Sequence, residues 1–301
     1  MMMLPAFSLE WLRDAVADLP MDDARVLGRG LWGPTLDLGD GTLVKLVRHR
    51  AGIGAGLDIH ANEVRVLAAL GGRPLGHLEV PRLLAHAAFA AGSRAVAEGY
   101  AAWMRLKRVA GTPFSEERLA RLSAHERNRF AGSFGESIAG LHREAASVFS
   151  NESIPLDDRV QALLDGLAAA SPADGGLCAG LTATLVAIPA VRGFIHGDFH
   201  LSNLLVGEDG LISGVVDFAE AGRGLREIDL AYLHWLSHIA VEARRAYEAA
   251  AGPIDDTAYN LAGAIYALTS AVILEQNGEA AAAGADRRRL GTCAEAIGLA
   301  R

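Results

Sequence analysis

Three polar residues near the middle of the chain have the types and spacing to transfer a phosphoryl group. The stretch His196-Gly197-Asp198-Phe199-His200-Leu201-Ser202-Asn203 is followed by Val215-Val216-Asp217-Phe218. Moving a phosphoryl group from a metal-bound nucleotide requires a carboxylate that orients the accepting hydroxyl. It also requires an amide and a second carboxylate that hold Mg²⁺. Asp198, Asn203 and Asp217 supply those groups in that order. Between Asn203 and Asp217 lie Leu204-Leu205-Val206, a Gly207-Glu208-Asp209-Gly210 turn and an apolar run over 211–216. Two apolar runs around such a turn read as a β-hairpin, which returns Asp217 to the loop that holds Asp198.

Two further features could serve a nucleotide. Gly28-Arg29-Gly30-Leu31-Trp32-Gly33 matches G-x-G-x-x-G between two short strand-like runs, with no helix starting after it. Glycines there allow backbone N–H groups to approach triphosphate oxygens; a merely tight turn is the alternative. Lys45 lies inside the apolar strand Thr42-Leu43-Val44-Lys45-Leu46-Val47, in a chain with 26 arginines and only two lysines. A desolvated ammonium needs a partner, unless the side chain reaches water from an edge strand. Glu63 follows 18 residues later in Ala61-Asn62-Glu63-Val64-Arg65; it is a candidate partner or an exposed helix carboxylate.

Together these residues resemble the aminoglycoside phosphotransferase family, small-molecule kinases related in fold to protein kinases. The five-residue step from Asp198 to Asn203 is that of the H-R-D-x-x-x-x-N loop, with Gly197 replacing Arg and His200 following. The resemblance runs from about Gly28 to Asp229 and fades in the C-terminal helices. It implies ATP or GTP, with Mg²⁺, in a cleft between two lobes. Gly28, Gly30 and Gly33 would line the triphosphate, and Lys45, fixed by Glu63, would pair with its α/β-phosphates. Residues 103–109 would form the hinge past the base, with Met104 and Leu106 as apolar contacts. Asp198 would be the catalytic carboxylate, and Asn203 and Asp217 the metal ligands. His196, His200 and His142 would support the loop, and Asp229 in Ile228-Asp229-Leu230-Ala231 would anchor its backbone. Only 12 residues separate Asp217 from Asp229, the D-F-G glycine is missing and no A-P-E element follows. A small-molecule hydroxyl therefore fits better than a peptide. The resemblance covers kinases of aminoglycosides, macrolides, choline, homoserine and fructosamines.

The elements around these residues read as α+β: a small five-stranded N-lobe with one helix, then a larger helical C-lobe. Leu9, Leu12, Val16 and Leu19 predict an opening helix over 8–19. Strands are expected at 24–27, 35–38, 42–47, 82–90 and 100–106, and a helix at 58–70 capped by Asp58. From Ser115, a cap before Glu116-Glu117, helices are expected at about 124–145, 157–170, 225–251, 256–276 and 285–299. A loop is expected at 171–180. The lobes divide as 1–108 and 109–301.

Composition is that of a globular chain able to bury a large core: 301 residues, 51% of them hydrophobic. Two cysteines, Cys178 and Cys293, make no disulfide framework, so a reducing cytoplasm is expected. The N-terminus shows no signal-peptide pattern. The longest apolar run, 261–274, suits a buried helix better than a membrane span. The net charge of −8 is uneven: +2 over 1–110, −4 over 111–190 and −6 over 191–301. An acidic C-terminal half argues against nucleic acid. It suits a cationic acceptor such as an amino sugar, or simply a soluble surface. Glu242, Glu248, Asp255, Asp256, Glu275 and Glu279 are available there as acceptor contacts. Two alternatives stand beside the kinase reading. One is a nucleotide-binding homologue without catalysis. The other is a metal-dependent hydrolase using His196, Asp198 and His200, with His234 and His238 one helical turn apart.

Overall fold

The computed structural model describes residues 23–29, 33–48, 59–149, 159–189 and 192–299, together with Leu12 and Leu19. The expected opening helix, apart from those two leucines, lies outside the described residues, as do Gly30 and Asp58. Leu12 is fully buried against Leu36, Leu38, Val44 and Leu46.

Five antiparallel strands form the first sheet: β1 (Arg25–Arg29), β2 (Pro34–Asp37), β3 (Thr42–Arg48), β4 (Arg82–Ala88) and β5 (Tyr100–Lys107). Their spatial order is β1-β2-β3-β5-β4. Period-two alternation places Tyr100, Ala102, Met104 and Leu106 on the buried face of β5. Helix α1 (Ile59–Leu70) turns Ile59, Asn62, Glu63, Val66, Leu67 and Leu70 inward, the helical 3–4 spacing. Its Val66, Leu67 and Leu70 share a core with Met104 and Leu106. A four-residue helix, α2 (Arg94–Ala97), capped by Ser93, sits between β4 and β5 and was not expected.

After β5 the chain turns helical. A two-residue strand, β6 (Thr112–Pro113), precedes α3 (Glu116–Arg121), and the Arg118 N–H donates to Ser115 Oγ at 3.2 Å as expected of that cap. Helix α4 (Ala124–Phe149) buries Phe130, Phe134, Ile138 and Leu141. These meet Val66, Leu75, Phe199, Leu204 and Phe218, so one core runs from α1 to the loop after β7 (Arg192–Ile195). Helix α5 (Arg159–Ala170) follows the expected span.

Three expectations require correction. The segment read as a loop at 171–180 starts with a 3₁₀ turn and enters helix α6 (Gly175–Ala187). Gly175, Gly176 and Gly180 weaken helix propensity. Burial of Cys178, Leu181 and Leu185, at helical spacing, overrides it. The single helix expected over 225–251 is split. Strand β10 (Gly222–Leu225) leads into a 3₁₀ segment (Arg226–His234), and only then does α7 (Ser237–Ala251) begin. The last helix, α9 (Ala280–Ala296), starts and ends earlier than expected.

Helix α8 (Asp256–Gln276) matches its expected bounds. By length and composition it is apolar enough to cross a membrane. Here its Leu261, Leu268 and Val272 pack with Leu164, Leu185 and Leu290 in a second core.

Two small sheets position the chemistry. Strand β7 pairs with β10, matching Ile195 to Gly222. The expected hairpin is β8 (Leu204–Val206) with β9 (Ile212–Val215), and β6 joins it.

Candidate active site

Lys45 is 8% exposed, and its Nζ lies 2.7 Å from both Glu63 Oε2 and Asp217 Oδ1. Strand β3 supplies the lysine, α1 the glutamate, and the turn just after β9 the aspartate. Burial alone would depress the ammonium, but the two carboxylates outweigh it and hold its pKa above the ordinary lysine value. Burial raises the Glu63 pKa, and Asp217 adds to that; Lys45 only partly offsets them. Burial acts to raise the Asp217 pKa as well, but Lys45 prevails and lowers it. One cation is thus shared by two carboxylates.

The loop after β7 is built around a buried, neutral histidine. His196 is fully buried; burial lowers its pKa against the pull of Asp229, Asp198 and Asp217. Its Nδ1 accepts from the Asp198 N–H at 3.3 Å, so Nε2 carries the proton and donates to Val216 O at 3.1 Å. One ring therefore ties the residue before Asp217 to the backbone of Asp198. Gly197 is required beside it: its φ is +81°, and a Cβ would stand 2.3 Å from Glu220 O. Arg, the usual residue there in the protein-kinase loop, would not fit. Asp229 accepts the His196 and Gly197 N–H groups, both at 2.8 Å. It also meets His142 Nε2 at 2.9 Å, and His142 Nδ1 reaches the Tyr247 hydroxyl at 3.0 Å.

Asp198 lies at the open end of this loop with about a third of its side chain exposed. Asn203 Nδ2 donates to its carbonyl oxygen at 2.9 Å and to Oδ2 at 3.0 Å. The Val216 N–H donates to Asn203 O at 2.9 Å, so Asn203 and Asp217 are brought to adjacent backbone. Asn203 Oδ1 receives no hydrogen bond from a described residue. Asp217 is the one described non-glycine residue with positive φ, at +67°. Such a conformation costs about 1–3 kcal/mol and persists where the surroundings enforce it. An amide oxygen and a carboxylate on adjacent backbone are hard oxygen donors, a set that fits Mg²⁺ completed by phosphate and water.

The glycine loop is described at its two ends. Gly33 has φ +153°, and a Cβ there would fall 2.0 Å from Leu46 O, so β2 can cross close to β3 only with glycine. Gly28 has nothing within 4 Å of a Cβ. The fold does not demand glycine at that position. Met104 and Leu106 are 0% and 6% exposed in the core with Val66 and Leu67. Met104 stands opposite Lys45 in the β3–β5 register.

Sequence reasoning passed over Asn62, which is 4% exposed. Its Nδ2 donates to Ala219 O at 2.9 Å and Ala221 O at 2.8 Å, clasping the segment after Asp217 to α1. The signal was present: a polar residue on the apolar stripe of a helix, next to Glu63. The hydrolase alternative loses its geometry. Both nitrogens of His196 are engaged within the protein. His234 stacks on Tyr259 at 4.2 Å and faces Cys293 Sγ and Tyr259 O. No His/Cys/Asp/Glu metal cluster occurs among the described residues.

A five-stranded lobe with one long helix, joined to a helical lobe that carries the catalytic-type loop, is the architecture of kinase-like phosphotransferases. The sequence matches the phosphotransferase enzyme family over residues 39–261, and the chain belongs to that family. No curated protein matches the sequence. Among solved structures, it is similar to an aminoglycoside 2″-phosphotransferase in complex with GDP and kanamycin. The TM-score is 0.68 at 17% identity, covering 96% of this chain and 99% of that one. The macrolide 2′-phosphotransferase MphH from Brachybacterium faecium, an apoenzyme, gives 0.61 at 21%, covering 94% and 98%. An ADP-bound aminoglycoside phosphotransferase gives 0.62 at 15%, covering 97% and 99%. At these identities the likeness is one of fold.

Proposed function

We propose that this phosphotransferase moves the γ-phosphoryl group of ATP or GTP to a hydroxyl of a small molecule, in a cleft between lobes 1–108 and 109–301. The observation that carries the reading is the Lys45 ammonium held between Glu63 and Asp217, beside a loop that presents Asp198. Lys45 steadies the α/β-phosphates as a fixed point charge. Gly28, Gly30 and Gly33 let loop N–H groups close over the triphosphate, and residues 103–109, with Met104 and Leu106 behind them, pass the base. Asp198 orients the acceptor hydroxyl and takes its proton as the new O–P bond forms and the nucleoside diphosphate leaves. Asn203 and Asp217 would hold Mg²⁺, which when bound neutralises charge on the phosphates. His196, His142 and Asp229 keep the loop in place without touching the reacting atoms. The cytoplasm, where the buried thiols Cys178 and Cys293 stay reduced, is the proposed setting; neither nucleic acid nor membrane is a proposed partner. Kanamycin and macrolides, named for the similar structures, are the first acceptors to try.

The test is nucleotide consumption with Mg²⁺, ATP or GTP, and a panel of amino sugars, macrolides and small alcohols. Acceptor-dependent turnover should fall by about 10²–10⁴-fold in Asp198→Asn, with nucleotide binding retained. Unchanged turnover in that variant refutes the role of Asp198. Mg²⁺-dependent binding with no turnover on any acceptor favours the non-catalytic homologue.

A further inference from the structure

Beyond Asp198 the wall of the site is aromatic. His200 Nε2 lies 3.2 Å from Asp198 Oδ2, and the His200 ring is 5.8 Å from that of Tyr232. Tyr232 stands 6.2 Å from Trp235, nearly parallel at 12°, and 5.9 Å from Tyr266. Trp235 and Tyr266 meet edge to face at 5.0 Å. All three rings are only partly buried, unlike the core aromatics Phe130, Phe134 and Phe218. Two of their polar edges are pinned: Tyr232 donates to Glu116 Oε1 at 2.6 Å, and Trp235 Nε1 to Asp286 Oδ1 at 3.0 Å. These three partly exposed rings run on from the catalytic carboxylate and form a shelf.

The acids beside the shelf are engaged within the protein: Asp286 pairs with Arg289 at 2.7 Å, and Glu116 accepts the Tyr232 hydroxyl. The Arg289 guanidinium lies over one face of the Trp235 ring, 5.1 Å from its centroid, and puts a positive charge at the shelf. Farther along the C-terminal helices, Arg244 takes Glu248 and Asp256 at 3.0 and 2.7 Å. Arg287 takes Glu275 at 2.9 Å, and Arg245 takes Glu242 at 3.5 Å. Asp255 caps α8. The acids that the sequence offered to a cationic acceptor are thus committed to arginines or to a cap, Glu279 aside.

We propose that Tyr232, Trp235 and Tyr266 form the acceptor subsite, and that it takes a hydroxyl borne on a sugar ring of low charge, stacked on the rings, rather than a polycationic amino sugar. The inference rests on the phosphotransferase reading above. An aromatic face attracts the C–H face of a ring and excludes water around it, while a few polar groups set orientation.

The test compares three probes: phenyl β-D-glucoside (neutral), erythromycin (one amine) and kanamycin (polycationic). Acceptor-dependent nucleotide turnover is measured for wild type, Tyr266→Ala and Tyr266→Phe. Binding is read from the Trp235 fluorescence change, taken as wild type minus Trp235→Phe. The expected result is a kcat/KM for the better low-charge probe at least about tenfold above that for kanamycin. Tyr266→Ala should raise its KM about tenfold, with a smaller change in kcat, and Tyr266→Phe should restore KM. Restoration by Phe separates lost stacking from a misfolded alanine variant. Preference for kanamycin, an unchanged KM in Tyr266→Ala, or no fluorescence response to either low-charge probe while nucleotide still binds would each overturn the shelf. Failure to bind nucleotide would instead bring down the phosphotransferase reading itself.

Discussion

Replacing Lys45 with Met removes the cation from between two carboxylates while keeping much of the side-chain volume. Glu63 is 2% exposed and loses a partner at 2.7 Å. Removing one member of a buried ion pair costs about 3–5 kcal/mol. The variant can escape part of that cost by protonating Glu63. Burial, and then Asp217, raise the Glu63 pKa even with Lys45 in place; without the ammonium it rises further. The folded variant then binds a proton that the unfolded chain, titrating near ~4.3, has already released. Its stability therefore falls as pH rises through that window, by up to about 1.4 kcal/mol per pH unit. The Lys45 pKa in the wild type is raised, so its own contribution persists below the ordinary lysine value and is lost only in strong alkali. From about pH 6 to about pH 8 the cost of Lys45→Met, relative to wild type, should grow by up to about 2.7 kcal/mol. Urea unfolding followed by circular dichroism at about pH 6, 7 and 8 measures it. A cost that stays constant across that range, or lies below about 1 kcal/mol, refutes the argument from the buried triad.

Three other outcomes follow from the geometry. Gly33→Ala drives a Cβ into Leu46 O and should cost about 2–4 kcal/mol of stability. Gly28→Ala, with open space around it, should leave the melting temperature within a few degrees and weaken nucleotide affinity, read by calorimetric titration. Asp229→Asn puts an amide NH₂ where a carboxylate oxygen accepts a backbone N–H. It should lower stability by about 1–3 kcal/mol and lower kcat more than it raises KM; steady-state kinetics beside a thermal melt separates the two.

The sequence was most legible where local pattern and tertiary demand agree. Strands β2, β3 and β5 alternate or run apolar between turn glycines, and each lies within two residues of its expected bounds. The loop from His196 to Asn203 could be read because its chemistry fixes its spacing. Legibility failed where contacts distant in sequence decide. The segment 226–234 reads as helix by periodicity, but Asp229 must aim at the N–H groups of His196 and Gly197, and the backbone tightens to 3₁₀. Strand β10, with two glycines in four residues, looks like loop until β7 is there to pair with it. Arg287 meets Asp174 across 113 residues, and no local pattern announces that pairing. The count of acids in the last helices therefore overstated the negative charge open to a ligand.

The ion pair of Asp217, rather than its left-handed backbone, sets what directed evolution for robustness would do to this enzyme. Asn tolerates φ +67° as Asp does, so the backbone alone gives a stability screen little reason to keep the acid. The ion pair does: Lys45 lowers the Asp217 pKa, so the charge favours the folded state, and Asp217→Asn forfeits that at neutral pH. The same change removes the carboxylate proposed to hold the metal. At this one position selection for durability and selection for turnover pull the same way, and libraries sorted only by survival of heating should still keep Asp217.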